Sequence, residues 1–378
     1  MRNVPCRSGF LEVSGRKIGP DHSVYIVAEI SANHSQDFER AVQIVHAAKE
    51  AGVDAVKLQT YTPDTITIAS DHECFRIGGG TLWDGRTLYE LYGEAYMPWE
   101  WQPRLKQIAD GFGLDVFSSP FDATAVDFLE TMNVPVYKVA SCELVDLPLI
   151  EKIARTSKPL IISTGMATAE EIEEAVETAR NAGAKQIALL KCTSAYPAPA
   201  EEMNLQTIPE LARRFGVPVG LSDHTKGIAV PVAAVALGAC IIEKHLTLSR
   251  SLGGPDAEFS LEPQEFKEMV DAVRMAERAL GSVHFGPTSR EESSRRFRRS
   301  LFAVQDMEQG DVFTVSNVRS IRPAQGLHTR YLPQILGKRA AQSISRGTPL
   351  SWDLIDDAGE NDHNARGEVV CPEPTVAR

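Results

Sequence analysis

The sequence predicts a (β/α)8 TIM barrel followed by a small β domain, on three observations. Eight short runs rich in Val, Ile and Leu alternate with amphipathic helical patterns. The rhythm stops near Gly281, and the chain beyond it reads as short β pieces broken by glycine and proline. The length of 378 residues suits a barrel of roughly 250 residues plus an appendage.

The expected strands are 24–30, 54–60, 115–121, 136–141, 159–165, 186–194, 219–224 and 240–247. Helical periodicity fills the intervals at 38–51, 99–111, 124–132 and 211–215. Another helix opens at Thr168-Ala169-Glu170-Glu171, where a Glu three residues after a Thr makes a capping box. The longest apolar run, 228–242, is too short to cross a membrane and contains Pro231 and Gly238, so it reads as a helix followed by a buried strand. One connection breaks the pattern. Residues 61–97 carry Gly78-Gly79-Gly80, Trp83-Asp84-Gly85, Tyr89, Tyr92 and Tyr96. In a barrel this βα loop lies on the catalytic face, which makes it a candidate substrate cover, with a mere packing excursion as the alternative. The expected organisation is a catalytic barrel at 1–285, a basic linker at 286–299 containing Arg295-Arg296-Phe297-Arg298-Arg299, a β domain at 300–356 and a disordered tail at 357–378.

Composition narrows the functional classes. Apolar content of 43% and charged content of 24% are those of a globular protein. A net charge of −12 argues against nucleic acid or an anionic membrane as partner, so an anionic substrate must be held by local cations. The first ten residues lack a signal-peptide core, and the six cysteines form no CxxC pair, three lying in segments expected to be core. A reduced, cytoplasmic protein is expected.

Barrel interiors are normally filled by branched apolar side chains, so polar groups at strand C-termini require a reason. Here they recur on every strand: Glu29; Lys57 and Gln59; Ser118-Ser119; Lys138 and Ser141; Ser163-Thr164; Lys191 with Thr193-Ser194; and finally Ser222-Asp223-His224 and Glu243-Lys244-His245. Strand side chains alternate, so Ser222 shares a face with His224, and Glu243 with His245. A single buried Lys, Glu or His is commonly a structural ion pair or a satisfied core residue. Eight strands with the same feature indicate a site. Lysines with hydroxyls suit a small phosphate or carboxylate, and two neutral imidazoles near a carboxylate suit a divalent cation open to water and substrate. Two other readings stay open: a Schiff-base aldolase using Lys191 on the sixth strand, and a non-catalytic carbohydrate- or ice-binding protein.

At these residues the sequence resembles the sialic acid synthase family, which condenses phosphoenolpyruvate with an N-acylated amino sugar. The markers are Ala28-Glu29-Ile30 with Asn33-His34, Val56-Lys57-Leu58-Gln59-Thr60, Tyr137-Lys138-Val139-Ala140-Ser141, Ser163-Thr164-Gly165-Met166, Tyr196-Pro197, Leu221-Ser222-Asp223-His224 and Glu243-Lys244-His245. Arg299-Ser300-Leu301, Ile321-Arg322-Pro323 and Gly326-Leu327 resemble the antifreeze-like (SAF, β-clip) domain of those synthases. Residues 60–65, 82–89 and 117–122 resemble the branch that makes pseudaminic acid from 2,4-diacetamido-2,4,6-trideoxy-L-altrose. The resemblance implies that His224 and His245 bind a divalent metal, commonly Mn2+ or Mg2+ with Co2+ as an alternative, and that Glu29 positions or deprotonates reacting groups. It implies that Lys57, Lys138, Ser119, Ser141, Ser163 and Ser222 hold phosphoenolpyruvate. Gln59, Tyr196, Glu243 and Asp256 then face the sugar, and Ser194 stands where the neuraminate branch more often has Asn. It further implies a domain-swapped homodimer in which Arg322 reaches the sugar's acyl group.

Overall fold

The computed structural model describes residues 9–356; the tail expected at 357–378 lies outside them. The chain divides into two compact units between Gly281 and Ser282.

The first unit begins with a hairpin that the sequence reading did not anticipate. Strands β1 (Leu11–Val13) and β2 (Arg16–Ile18) pair antiparallel through Ser14 and Gly15, both at positive φ. Two such residues match the twist of the flanking strands, so the alternation in Leu-Glu-Val-Ser-Gly-Arg-Lys-Ile was a usable signal. The hairpin buries Leu11, Val13 and Ile18 completely and bonds to residues at or just before strand starts. Arg16 pairs with Asp54, Ser14 donates to Asp115, and the Gln186 side-chain oxygen accepts from the Glu12 amide. It therefore closes the barrel's base.

The barrel is made of β3 (Tyr25–Glu29), β4 (Ala55–Thr60), β5 (Asp115–Pro120), β6 (Tyr137–Val139), β7 (Leu160–Ser163), β8 (Ile187–Cys192), β9 (Val219–Asp223) and β10 (Ile241–His245). All are parallel, and β10 pairs with β3 to close the ring, so all eight expected strands are present. Strand β6 is shorter than expected because the backbone turns into a 3-10 helix, Cys142–Val145, directly after Ser141. Parallel strands covered by helices are buried on both faces, which is why these runs are nearly continuously apolar away from the rim.

Helix ends follow local chemistry. Asp37 accepts from the Glu39 and Arg40 amides to start the helix Phe38–Ala51, and Gly52 ends it in the left-handed region. The capping box expected at Thr168 is formed with Glu171 at the start of Ala169–Asn181. Within the 61–97 insertion, the turn Pro63–Ile66 and the helix Leu88–Ala95 are each fixed by a capping box.

The second unit pairs β11 (Ser300–Ala303) with β12 (Val318–Ile321), and β13 (Arg339–Ala340) with β14 (Ile355–Asp356), all antiparallel. It has its own core, including Leu301, Met307, Phe313, Ile335 and Ile344.

Gly220 is a tight point in the barrel wall. A Cβ there would lie 2.4 Å from the Ile241 carbonyl oxygen and 2.7 Å from Leu190 Cδ2. Gly220→Ala is expected to lower stability by about 1–3 kcal/mol, read as a lower midpoint in calorimetry; an unchanged midpoint would mean that β9 and β10 can separate freely.

Candidate active site

Register determines which polar side chains meet. Glu29 is paired with Lys57 on one side and with His245 on the other, Gln59 with Ser119, and Ser222 with both Cys192 and Glu243. Partners across a parallel ladder point to the same face, so all of these face inward. The same alternation corrects two expectations. Lys191 pairs with Leu221 on the outer face, and its ammonium is held by the Cys192 carbonyl at 2.6 Å and Thr193 Oγ1 at 3.1 Å. Ser118 also faces outward, its hydroxyl 2.6 Å from that of Thr60. An outward Lys191 removes the basis for a Schiff-base aldolase.

A cavity of about 290 Å³ opens at the C-terminal rim. Lys57, Gln59, Lys138, Ser141, Ser163, Tyr196, Ser222, His224, Glu243, His245 and Asp256 line it. Three expected residues sit just behind this lining. Glu29 is 1% exposed and binds Lys57 and Gln59; Ser119 is buried with its Oγ 3.5 Å from Lys57 Nζ; Ser194 Oγ lies 2.9 Å from Ser141 Oγ. Arg322 belongs to the second unit, directly after β12 and before a cis bond to Pro323. Sequence reasoning missed Ser31, Cys192, Glu143 and Phe259, which also line the cavity. Cys192 shares the inner face with Leu190 two residues before it, but which face of this strand is inner is set by its pairing with the neighbouring strands. Glu143 and Phe259 lie in 3-10 turns, where no periodicity marks them. Cys142, directly after the expected strand 136–141, is exposed at the rim.

The centre of the charge arrangement is Lys57, with Glu29 Oε2 at 2.5 Å and Glu243 Oε1 at 3.8 Å. Burial disfavours the ammonium, but the two carboxylates outweigh it and hold Lys57 charged. Burial pushes Glu29 up to about 7, against the pull of Lys57 and with the help of Glu243's charge. Burial acts upward on Glu243 too, but Lys57, Lys138 and the Ser222 hydroxyl, which donates at 3.0 Å, bring it below the usual carboxylate range. One carboxylate is thus firmly ionised while its neighbour titrates near neutrality. Burial also raises Glu143 to about 7, and its Oε2 is buried without a hydrogen-bond partner. The second cavity lysine, Lys138, is pulled down by burial and by Lys57.

Each imidazole can offer a lone pair to the cavity. The Thr193 carbonyl, which can only accept, lies 2.9 Å from His224 Nδ1, so in the neutral ring the proton is on Nδ1 and Nε2 is left free. Burial acts downward on His224, but the Cys192 sulfur and the Thr193 carbonyl outweigh it and raise its value. Burial, with the charges of His224, Lys57 and Lys244, holds His245 well below its ordinary value and therefore neutral. Its Nδ1 is buried without a hydrogen-bond partner, Asp256 Oδ2 lying 3.9 Å away. The ring centroids are 5.4 Å apart. Among the described residues no cluster of three or more His, Cys, Asp or Glu stands in metal-binding geometry. The pair therefore fits an ion that draws its remaining ligands from water and substrate, and does not fit a closed structural site.

Tyr196 packs at 4.4 Å from His224 and 5.1 Å from Phe259, and Trp83 of the insertion meets Tyr196 at 5.8 Å and donates to the Pro255 carbonyl. Gly165 is at φ +45°, and a Cβ there would stand 2.4 Å from that of Ser141, so the Ser141, Gly165 and Ser194 loops converge only because this residue is glycine.

Residues 44–285 match the model of the NeuB family, and residues 298–356 match the SAF domain. The chain belongs to the NeuB family. A pseudaminic acid synthase of Helicobacter pylori is 46% identical over 333 residues, covering 88% of this chain and 97% of that protein. An N,N'-diacetyllegionaminic acid synthase of Legionella pneumophila is 36% identical over 91% of this chain and 99% of its own. A crystal structure of N-acetylneuraminic acid synthetase from Leptospira borgpetersenii, in complex with citrate, aligns with a TM-score of 0.68 at 31% identity. It covers 76% of this chain and 95% of that one. Membership in a family of phosphoenolpyruvate-dependent synthases, expected from the resemblance, is met, and it sets aside the purely carbohydrate-binding reading.

Glu29 gives a testable pH dependence for the protein without metal or substrate. Its folded value of about 7 lies above its ordinary 4.5, so the folded state holds the extra proton between these limits. The resulting penalty is absent below pH 4.5 and complete above pH 7. Glu29→Gln removes it, so the variant's melting temperature relative to wild type should rise from pH 5 to pH 8. A difference independent of pH would refute the assignment.

Proposed function

We propose that this protein condenses phosphoenolpyruvate with 2,4-diacetamido-2,4,6-trideoxy-L-altrose and water, giving pseudaminic acid and phosphate. The observation that carries the reading is one cavity holding two lysines and a ring of serines beside two imidazoles. The 46% identity to a pseudaminic acid synthase, against 36% to a legionaminic acid synthase, supports this choice of sugar.

Lys57 and Lys138 supply positive charge for the phosphate and carboxylate of phosphoenolpyruvate, and Ser119, Ser141, Ser163, Ser194 and Ser222 complete its binding site, Ser222 keeping its proton on Glu243. Gln59, Tyr196, Glu243 and Asp256 face the sugar. Carbon C3 of the enol bonds to the sugar's aldehyde carbon, and the aldehyde oxygen takes up a proton to become a hydroxyl. Water adds to the electron-poor C2 and loses a proton, after which the bond from C2 to the phosphate oxygen breaks and phosphate leaves. Glu29, titrating near neutrality, is suited to relay a proton, and the ionised Glu243 stabilises positive charge developing at C2. NeuB family synthases are generally metal-dependent. A divalent ion, Mn2+, Mg2+ or Co2+, held by His224 and His245 would supply Lewis-acid polarisation of the aldehyde.

The working boundaries are a catalytic barrel at 1–285, a linker at 286–299 and an SAF domain at 300–356. In a domain-swapped homodimer, Arg322 from a second copy reaches the sugar's acyl group. A cytoplasmic location accords with the chemistry of the substrates, and among the described residues no helix is long and apolar enough to cross a membrane.

Phosphate release is expected to require phosphoenolpyruvate, the amino sugar and a divalent ion together, and to be abolished by chelator or by His245→Ala. Mass spectrometry of products from several amino sugars checks the substrate: conversion of N-acetylmannosamine alone would overturn the pseudaminic reading. Arg322→Ala should raise the sugar's KM by roughly 10- to 100-fold, the loss of a hydrogen bond to a charged group, with little change in the KM of phosphoenolpyruvate. Equal effects on both substrates would count against the swapped dimer.

A further inference from the structure

The cavity changes character from one side to the other. The strand ends present charge, whereas the 61–97 insertion presents carbon. Ile66 at the end of its first turn, and Leu91, Tyr92 and Ala95 from the helix Leu88–Ala95, line this side together with Phe121. Leu91 and Ala95 are one helical turn apart and share a face, and the reciprocal Thr87 and Glu90 cap holds the helix in place. Tyr61 packs edge-on against Tyr92 at 5.6 Å and Phe121 at 5.1 Å, so the wall is a packed layer. The Tyr61 carbonyl is already occupied by the Trp99 indole at 3.1 Å. Tyr61 also lines the cavity, and of the six side chains only the two tyrosines carry a polar atom.

Phosphoenolpyruvate, charged at both ends, belongs against the lysines and not against this surface. The sugar is the reactant left to meet it, and the proposed sugar differs from a 6-hydroxy hexosamine in ending in a methyl group at C6. Resting on the proposed reaction, we infer that the wall of Ile66, Leu91, Tyr92, Ala95 and Phe121 receives this methyl and selects 6-deoxy over 6-hydroxy amino sugars. Selection arises by exclusion. A methyl placed there leaves water for carbon, whereas a hydroxyl gives up water against a surface that is mostly carbon. Apolar pockets discriminate against an added hydroxyl by roughly 10²-fold.

The test is a competition in one vessel between 2,4-diacetamido-2,4,6-trideoxy-L-altrose and its 6-hydroxy congener, with limiting phosphoenolpyruvate and the product ratio read by mass spectrometry. That ratio reports relative kcat/KM and is unaffected by any fraction of enzyme that fails to fold. Wild type should favour the 6-deoxy sugar by roughly 10- to 100-fold. Leu91→Asn, and independently the more exposed Ile66→Asn, should each cut the preference about fivefold or more by giving the hydroxyl a partner. A wild type without preference, or two variants that both keep the wild-type ratio, would overturn the inference while leaving the proposed reaction intact. Absence of product from either sugar would overturn both.

Discussion

The ion pair between Lys57 and Glu29, with Glu243 close by, governs the rest of the barrel. Three ionisable groups stand side by side on adjacent strands, almost fully removed from water. Leaving one such charge unpaired costs about 3–5 kcal/mol, so each residue is held in place by the others. Their separations are set by backbone register, which pairs Glu29 directly with both Lys57 and His245. A slip by one residue on any of these strands would turn its polar groups out towards the helices. Keeping the ring closed in this register is therefore the same requirement as keeping the site assembled.

Several features distant from the cavity serve that requirement. The N-terminal hairpin ties together the starts of β4 and β5 and the approach to β8. Asp54 also accepts from the Ile26 amide and from Arg274, which fixes β3, β4 and the last barrel helix at the base. Behind the two histidines, on the outer face, Lys244 reaches Asp223 at 2.5 Å and the Thr225 carbonyl at 2.6 Å. This second buried pair joins β9 to β10 one residue before each histidine, where the strands would otherwise be free to splay.

Chemistry at the rim depends on neighbouring groups being held in different protonation states. Two carboxylates share one lysine, yet Glu243 gains a second lysine and a serine hydroxyl while Glu29 does not. That asymmetry separates a permanent negative charge from a group that exchanges a proton near neutrality. The histidines are separated in the same way. Acceptors around His224 favour its proton, whereas burial among positive charges keeps His245 neutral.

Much of this was legible in the chain. Strand content, closure into eight parallel strands and the identity of the polar residues all follow from two periodicities, because a half-polar strand end in an apolar run is a local signal. Most of the expected site residues do converge on one cavity. Other features were decided by tertiary structure. Whether Lys191 or Cys192 faces the cavity depends on a register that only the neighbouring strands establish. Glu143, Phe259 and Ser31 enter from 3-10 turns whose direction is set by packing and carries no sequence period. The raised carboxylates are products of burial, which is a property of the assembled barrel. Sequence by itself determined which groups are available and on which strands, since alternation and hydrophobicity are local; the closed sheet alone decided which of them meet and what charge each one carries, because register and desolvation arise only when all eight strands are in place.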